Sequence, residues 1–254
     1  MDFVLIDTSN GAKTTNGESL DSGGVALAKA AALATVFLNR DCSSEWGGSH
    51  RVRAGKSITD VAAGECAVDS QSTLVGAPGA IAYHDVVANG APVAYDGVTL
   101  SDSLFGSSNS WFIAITHELA ETIVDAGCNV VAIDSDGTAK AQEACDPVEE
   151  QAYEIVLPNG DSGFVSNFVT RNYFIPNSPA PYDFMSKSGR TGAVPPPGPM
   201  QVAPAGGGNY QIIYSSIGTA SQVTAIGKPT HRMAKKAHPM SRTARRGLKV
   251  ISGS

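Results

Sequence analysis

No run of apolar residues in this chain approaches the roughly 20 needed to cross a bilayer, and the opening MDFVLIDTSNG lacks a basic stretch followed by an apolar one. The expectation is a soluble protein outside the standard export route, with no membrane partner. Cysteine is scarce. Cys42, Cys66, Cys128 and Cys145 are too few to staple a chain of 254 residues, and no two of them stand as CxxC. They read as reduced or incidental, with a Cys128–Cys145 bridge as the minor alternative. Charged residues make up only 17% of the chain against 42% hydrophobic, which excludes a disordered or fibrous protein and leaves one sizeable core, or a core with an appendage.

Acidic residues are missing altogether from one part. Between Lys187 and Ser254 there are ten Lys or Arg and no Asp or Glu, a balance of +10. The preceding 186 residues hold eight basic and 24 acidic side chains, a balance of −16, and the two parts give the net charge of −6. An acidic body and a basic arm follow. The arm could lie on an acidic partner, on nucleic acid or back on its own body, or stay a solvated tail. Nucleic-acid binding would need aromatic or motif support around the basic residues, and that is missing too.

What is present is a series of readable segments. FVLID near the start predicts a strand, and Val25–Arg40 is an uninterrupted run of helix formers. Short apolar runs at Ser57–Ala62 and Ser72–Tyr83 predict strands, as do Ile81–Val87 and the segment after AsnGlyAlaPro. From Trp111 to Ala126 apolar residues recur at helical spacing, with Ser108 or Ser110 as cap and Gly127 suited to the left-handed position that ends a helix. ValValAlaIleAsp (Val130–Asp134) and a SerAspGly turn follow it. Two strand-like pieces around ProAsnGlyAsp predict a hairpin over Ala152–Val169. The globular pattern stops near Met185. Beyond it lies a Pro- and Gly-rich linker whose one strand-like piece is Tyr210–Tyr214. The division is therefore a body over residues 1–185 and a linker with a basic arm over 186–254.

The chemistry concentrates on the helix of Trp111–Ala126. His117, Glu121 and Asp125 fall at about 0°, 40° and 80° around it, with Glu118 at about 100°, so all four share one face. The opposite side is apolar, which predicts a half-buried helix whose polar face looks into a cleft or a metal site. An imidazole and a carboxylate at i and i+4 can hold one ion, while the Glu at i+1 stands aside and can act on a bound water. This is the logic of HExxH, with Glu121 in place of the second His. Glu143 and Asp146 add two carboxylates some twenty residues on, and carboxylates gathered so densely repel one another without a cation. A helix turn rich in Glu and His is also, in many proteins, a solvated face.

Taken together, THELAETIVD (116–125), EACDPVE (143–149), VSNFVT (165–170), AIAYHD (80–85) and TrpGlyGly at 46–48 resemble a family of zincin-like metallopeptidases of bacteriophages, prophages and some bacteria. The resemblance runs from about Leu38 to Met185. It implies an α+β, zincin-like domain with a mixed sheet, whose edge strand lines the cleft above a metal-binding helix, followed here by an extended C-terminal arm. Carried over by position, it makes His117 and Glu121 metal ligands and Glu118 the general base. Glu143 becomes the favoured third ligand, with Asp146 as its substitute or supporter. His84 would face the cleft and touch substrate or metal, or be a histidine hydrogen-bonded in the sheet. Tyr83 is read as a packing residue.

The metal expected is zinc. One His with two carboxylates leaves little net positive charge on that ion, however, and the same oxygen-rich set suits calcium, magnesium or manganese. The sequence-based expectation is a bacteriophage virion structural protein of the head, neck or decoration, found in the virion and in the host cytoplasm during assembly. Its metal-binding body would have vestigial peptidase activity, and its arm would dock on other virion proteins in an oligomeric assembly. The alternative is an active zinc endopeptidase.

Overall fold

The computed structural model describes residues 1–20, 24–107, 109–189, 209–214, 220–224 and 249–251. The chain is a mixed α+β protein. Five strands form the first sheet: β1 (Asp2–Asp7), β2 (Arg51–Ala54), β3 (Glu65–Gln71), β4 (Ala82–Val86) and β5 (Pro92–Gly97), in the order β2-β1-β3-β5-β4. The first four in that order run parallel, and β4 alone runs antiparallel, at the edge beside β5. The alternation of β1 divides its apolar load. Phe3 and Leu5 join the main core on one face, and Val4 and Ile6 are buried outside that cluster.

Two helices pack into the core with Phe3, Leu5, Cys66, Val68 and Ala94. Helix α1 (Val25–Val36) continues through a π turn (Phe37–Cys42) into the short α2 (Ser43–Trp46), and α3 (Trp111–Val124) carries the polar residues singled out above. The hairpin of β8 (Ala152–Val156) and β9 (Ser162–Ser166) closes over both helices, as its ProAsnGlyAsp turn predicts. Gly163 permits that approach, because a Cβ there would lie 3.0 Å from Phe112 Cδ1 and 3.1 Å from Leu33 Cδ1.

Several expectations are revised. Ser57–Ala62 holds a 3-10 turn (Ile58–Asp60) instead of a strand, and Ser72–Tyr83 is mostly loop because Gly76, Pro78 and Gly79 interrupt it before β4 begins. The left-handed residue after α3 is Cys128, at φ 49°, and not Gly127. Ser110 is the cap, its hydroxyl accepting from Ile113 N–H at 3.3 Å; Ser108 lies outside the described residues. Helix α3 is not half-buried, since Trp111 through Thr122 are all buried.

A second sheet has the order β11-β10-β7-β6-β12, from β6 (Val130–Ile133), β7 (Ala139–Ala141), β10 (Tyr210–Tyr214), β11 (Ala220–Thr224) and β12 (Lys249–Ile251). The strand-like piece expected to be available in the arm is thus built into this chain's own sheet. Strand β10 pairs antiparallel with β7 through Ile213 and Tyr214, and Tyr210 at its start is completely buried. The rest of the expected linker and arm lies almost wholly outside the described residues. No described helix is long and apolar enough to cross a membrane.

Sheet and helix are joined by a polar contact. Trp111 Nε1 donates to Ser70 Oγ at 3.1 Å, and Ser70 donates to Asp96 Oδ1 at 2.9 Å. Burial pushes the Asp96 carboxyl well above the ordinary range, with the charges of Asp69 and Asp7 adding to it. The folded chain therefore holds that proton more tightly than the unfolded chain, so this group favours folding at acid pH and its contribution is lost as pH rises through the folded value. Asp96→Asn keeps an oxygen for Ser70 and has no proton to lose. Its melting temperature should exceed that of the parent by a few degrees near pH 8 and match it near pH 3; an equal shift at both would exclude titration of Asp96 as the cause.

Candidate metal centre

Helix α3 is fixed before its polar residues are placed. Thr116 Oγ1 donates to the Phe112 carbonyl at 3.0 Å and accepts from Ser166 N–H of β9 at 3.0 Å, while Thr122 Oγ1 donates to the Glu118 carbonyl at 2.7 Å. With rotation and depth set, His117, Glu118 and Glu121 point away from the hairpin, toward β4 and the segment holding Glu143–Glu149. All three are buried, at 4%, 1% and 0% exposure, so they do not form a solvated face.

Three elements converge there. His117 Nε2 lies 3.1 Å from Glu121 Oε1 and 3.2 Å from Asp146 Oδ1. Strand β4 presents alternate residues to the helix: Ala82 and His84 are buried toward it, while Tyr83 packs against Tyr95, ring centroids 5.0 Å apart. His84 Nδ1 is 3.1 Å from Glu118 Oε2 and 3.5 Å from Glu121 Oε2, and His84 Nε2 is 3.7 Å from Glu143 Oε2. Glu143 and Asp146 therefore reach different imidazoles, Glu143 toward His84 and Asp146 toward His117. Asp125 does not join them. Its Oδ2 accepts from Val130 N–H at 2.8 Å and its carbonyl from Cys128 N–H, closing the end of the helix.

The segment carrying Glu143 and Asp146 is tied down by backbone. Val169 N–H donates to the Ala144 carbonyl at 2.7 Å, Cys145 N–H donates to Glu121 Oε1 at 3.3 Å, and Glu150 N–H donates to the buried Asn209 Oδ1 at 3.0 Å. The last bond comes from the residue just before β10, so the second sheet braces the segment from behind.

These donors fit a divalent cation. Imidazole nitrogen and carboxylate oxygen are the ordinary ligands of such ions, and two sets of three donor atoms each lie within 4.8 Å of one another: His117, Glu121 and Cys145, and His84, Glu121 and Glu143. Cys145 is the one donor that sequence reasoning passed over, although it stands between Glu143 and Asp146. A thiol must lose its proton to bind, and burial, followed by the Glu121 charge, pushes the Cys145 thiol well up. Asp146 is a carboxylate already beside His117, its Oδ1 3.2 Å from Nε2. All four cysteines are free, so no Cys128–Cys145 bridge forms.

The centre opens to one side. A small cleft with an internal volume of about 20 Å³ is lined by Ile81 and Ala82 at the start of the edge strand, by Ile113, Ala114, His117 and Glu118 of α3, and by Glu149. Glu149 is a further residue that the spacing did not single out. Comparison with models of protein families, with curated proteins and with solved structures finds no match to this chain.

Proposed function

We propose that this chain is a zincin-like metal-dependent peptidase, with a divalent cation held by His117, Glu121 and Asp146 and with Glu118 as general base. The observation that carries this reading is the cleft, where His117 and Glu118 line the wall beneath an antiparallel edge strand. A cation bound there supplies Lewis acidity toward a carbonyl. The chain's own residues do the rest. Glu118 stands one position after a ligand, within reach of the cleft, where its carboxylate can take a proton from water and pass it to a leaving amine. The His84 ring, 3.1 Å away, holds that carboxylate in place.

A second reading is favoured by the near-complete burial of Glu118 and its contact with His84. In it the cation is a structural clamp in a bacteriophage virion protein, and the peptidase is vestigial. The discriminating experiment supplies zinc and a broad peptide library to the full-length chain. Hydrolysis is expected, and Glu118→Gln should lower it by roughly 10²- to 10⁴-fold while metal content is unchanged, since the base is not a ligand. Absence of hydrolysis by the parent chain with its metal in place would sink the peptidase reading and leave the clamp.

A further inference from the structure

We propose that the centre holds two divalent cations, with Glu121 bridging them. The inference rests on the metal-binding reading above and extends it to a second ion, held by His84 and Glu143.

Glu121 sits between two imidazoles and turns one oxygen to each. Its Oε1 lies 3.1 Å from His117 Nε2, and its Oε2 lies 3.5 Å from His84 Nδ1. The carboxylates divide in the same way, Asp146 beside His117 and Glu143 beside His84. The result is two half-sites, each with one imidazole and one carboxylate of its own, sharing the carboxylate between them. A bridging carboxylate is how a protein holds two ions at the roughly 3.5–4 Å separation of two-metal sites.

The second half-site has the further parts that a ligand histidine needs. His84, Glu121 and Glu143 each offer a donor atom, and the three atoms lie within 4.8 Å of one another. His84 Nδ1 lies 3.1 Å from Glu118 Oε2 and Nε2 faces Glu143, so Nε2 is the ligand atom, and Glu121 Oε2, which lies beside Nδ1, would turn toward Nε2 when the ion binds. A ligand imidazole whose other nitrogen donates to a carboxylate is the usual arrangement around a bound metal, because it fixes tautomer and ring orientation. Residue 84 is also 1% exposed on a strand, so its ring cannot swing into solvent.

Charge points the same way. Glu118, Glu121, Glu143 and Asp146 are all at most 4% exposed and crowd around two imidazoles. One divalent cation would offset half of the charge on four ionised carboxylates, and two would offset all of it. One nitrogen and several oxygens per ion suit manganese, iron(II) or zinc better than the soft metals.

The test is equilibrium dialysis of the full-length chain against Mn²⁺ or Zn²⁺, followed by elemental analysis. Two equivalents are expected, falling to one in His84→Ala and in Glu143→Gln. Electron paramagnetic resonance of the Mn²⁺-loaded parent chain reads the pair without relying on any variant to fold. It should give an exchange-coupled signal, with hyperfine spacing halved relative to an isolated ion. A single equivalent with an isolated-ion spectrum overturns the bridged pair and leaves the single-metal centre standing. No bound metal overturns both. Two equivalents that persist in His84→Ala would overturn the assignment of the second ion to His84.

Discussion

His117→Ala should empty the half-site on its side and cost the fold about 3–5 kcal/mol, the range found when one partner of a buried pair is removed. The imidazole lies between Glu121 and Asp146, 3.1 and 3.2 Å from their oxygens, and alanine leaves two buried carboxylates facing one another across the gap. The loss has two parts that chelator separates. In excess chelator the variant should still unfold at lower denaturant than the parent, because the carboxylates have lost their donor. With metal supplied the difference should widen, because only the parent gains binding energy. Equal midpoints in chelator would show that the imidazole does no structural work without an ion, and would undermine the packing account of this site.

Removal of residues 186–254 is expected to unsettle the body, contrary to what composition suggests. The segment is basic and its linker is rich in Pro and Gly, yet it contributes β10 to the sheet beside β7 and buries Tyr210 completely. It also ties down the end of the ligand segment, where Glu150 N–H donates to Asn209 Oδ1. Tyr210→Ala alone should cost about 3 kcal/mol, at the lower end of large aromatic deletions. The truncated chain should lose more, and should bind metal more weakly because Asp146 and Glu143 are less well held. Unfolding and metal titration of both variants measure this. Parent-like stability in the truncated chain would mean that β10 merely rests on the body.

Part of this arrangement was legible in the residues. The spacing of apolar side chains and the Ser110 cap predict α3, and ProAsnGlyAsp predicts the β8–β9 turn, because in both cases the determinants are local. His117 and Glu121 follow from one helical turn. Strands β2 and β3 were not visible. Arg51 and Arg53 break the apolar pattern of the first, and Glu65 and Asp69 that of the second, yet Cys66, Ala67 and Val68 are buried by neighbours far along the chain. The division of the site was hidden for the same reason. That Glu143 meets His84 while Asp146 meets His117 depends on β4 running antiparallel at the sheet edge, with His84 opposite Ala94. No spacing in the sequence encodes that register.

The π turn at Phe37–Cys42 sets an angular phase for everything after it in that helix. In a regular α-helix residues five apart are rotated by about 140° from each other, and the wider turn brings Phe37 and Cys42 closer to one face. Here both are fully buried, and Ser43 N–H reaches back five residues to the Leu38 carbonyl. Asp41, in the same turn, accepts a 2.7 Å hydrogen bond from Tyr153 of the hairpin. The widened turn thus behaves as a one-residue insertion absorbed without a bulge into solvent. Deleting a single residue from it would restore a regular pitch and turn the following residues out of phase, carrying Asp41 away from Tyr153 and Trp46 away from Phe174 together.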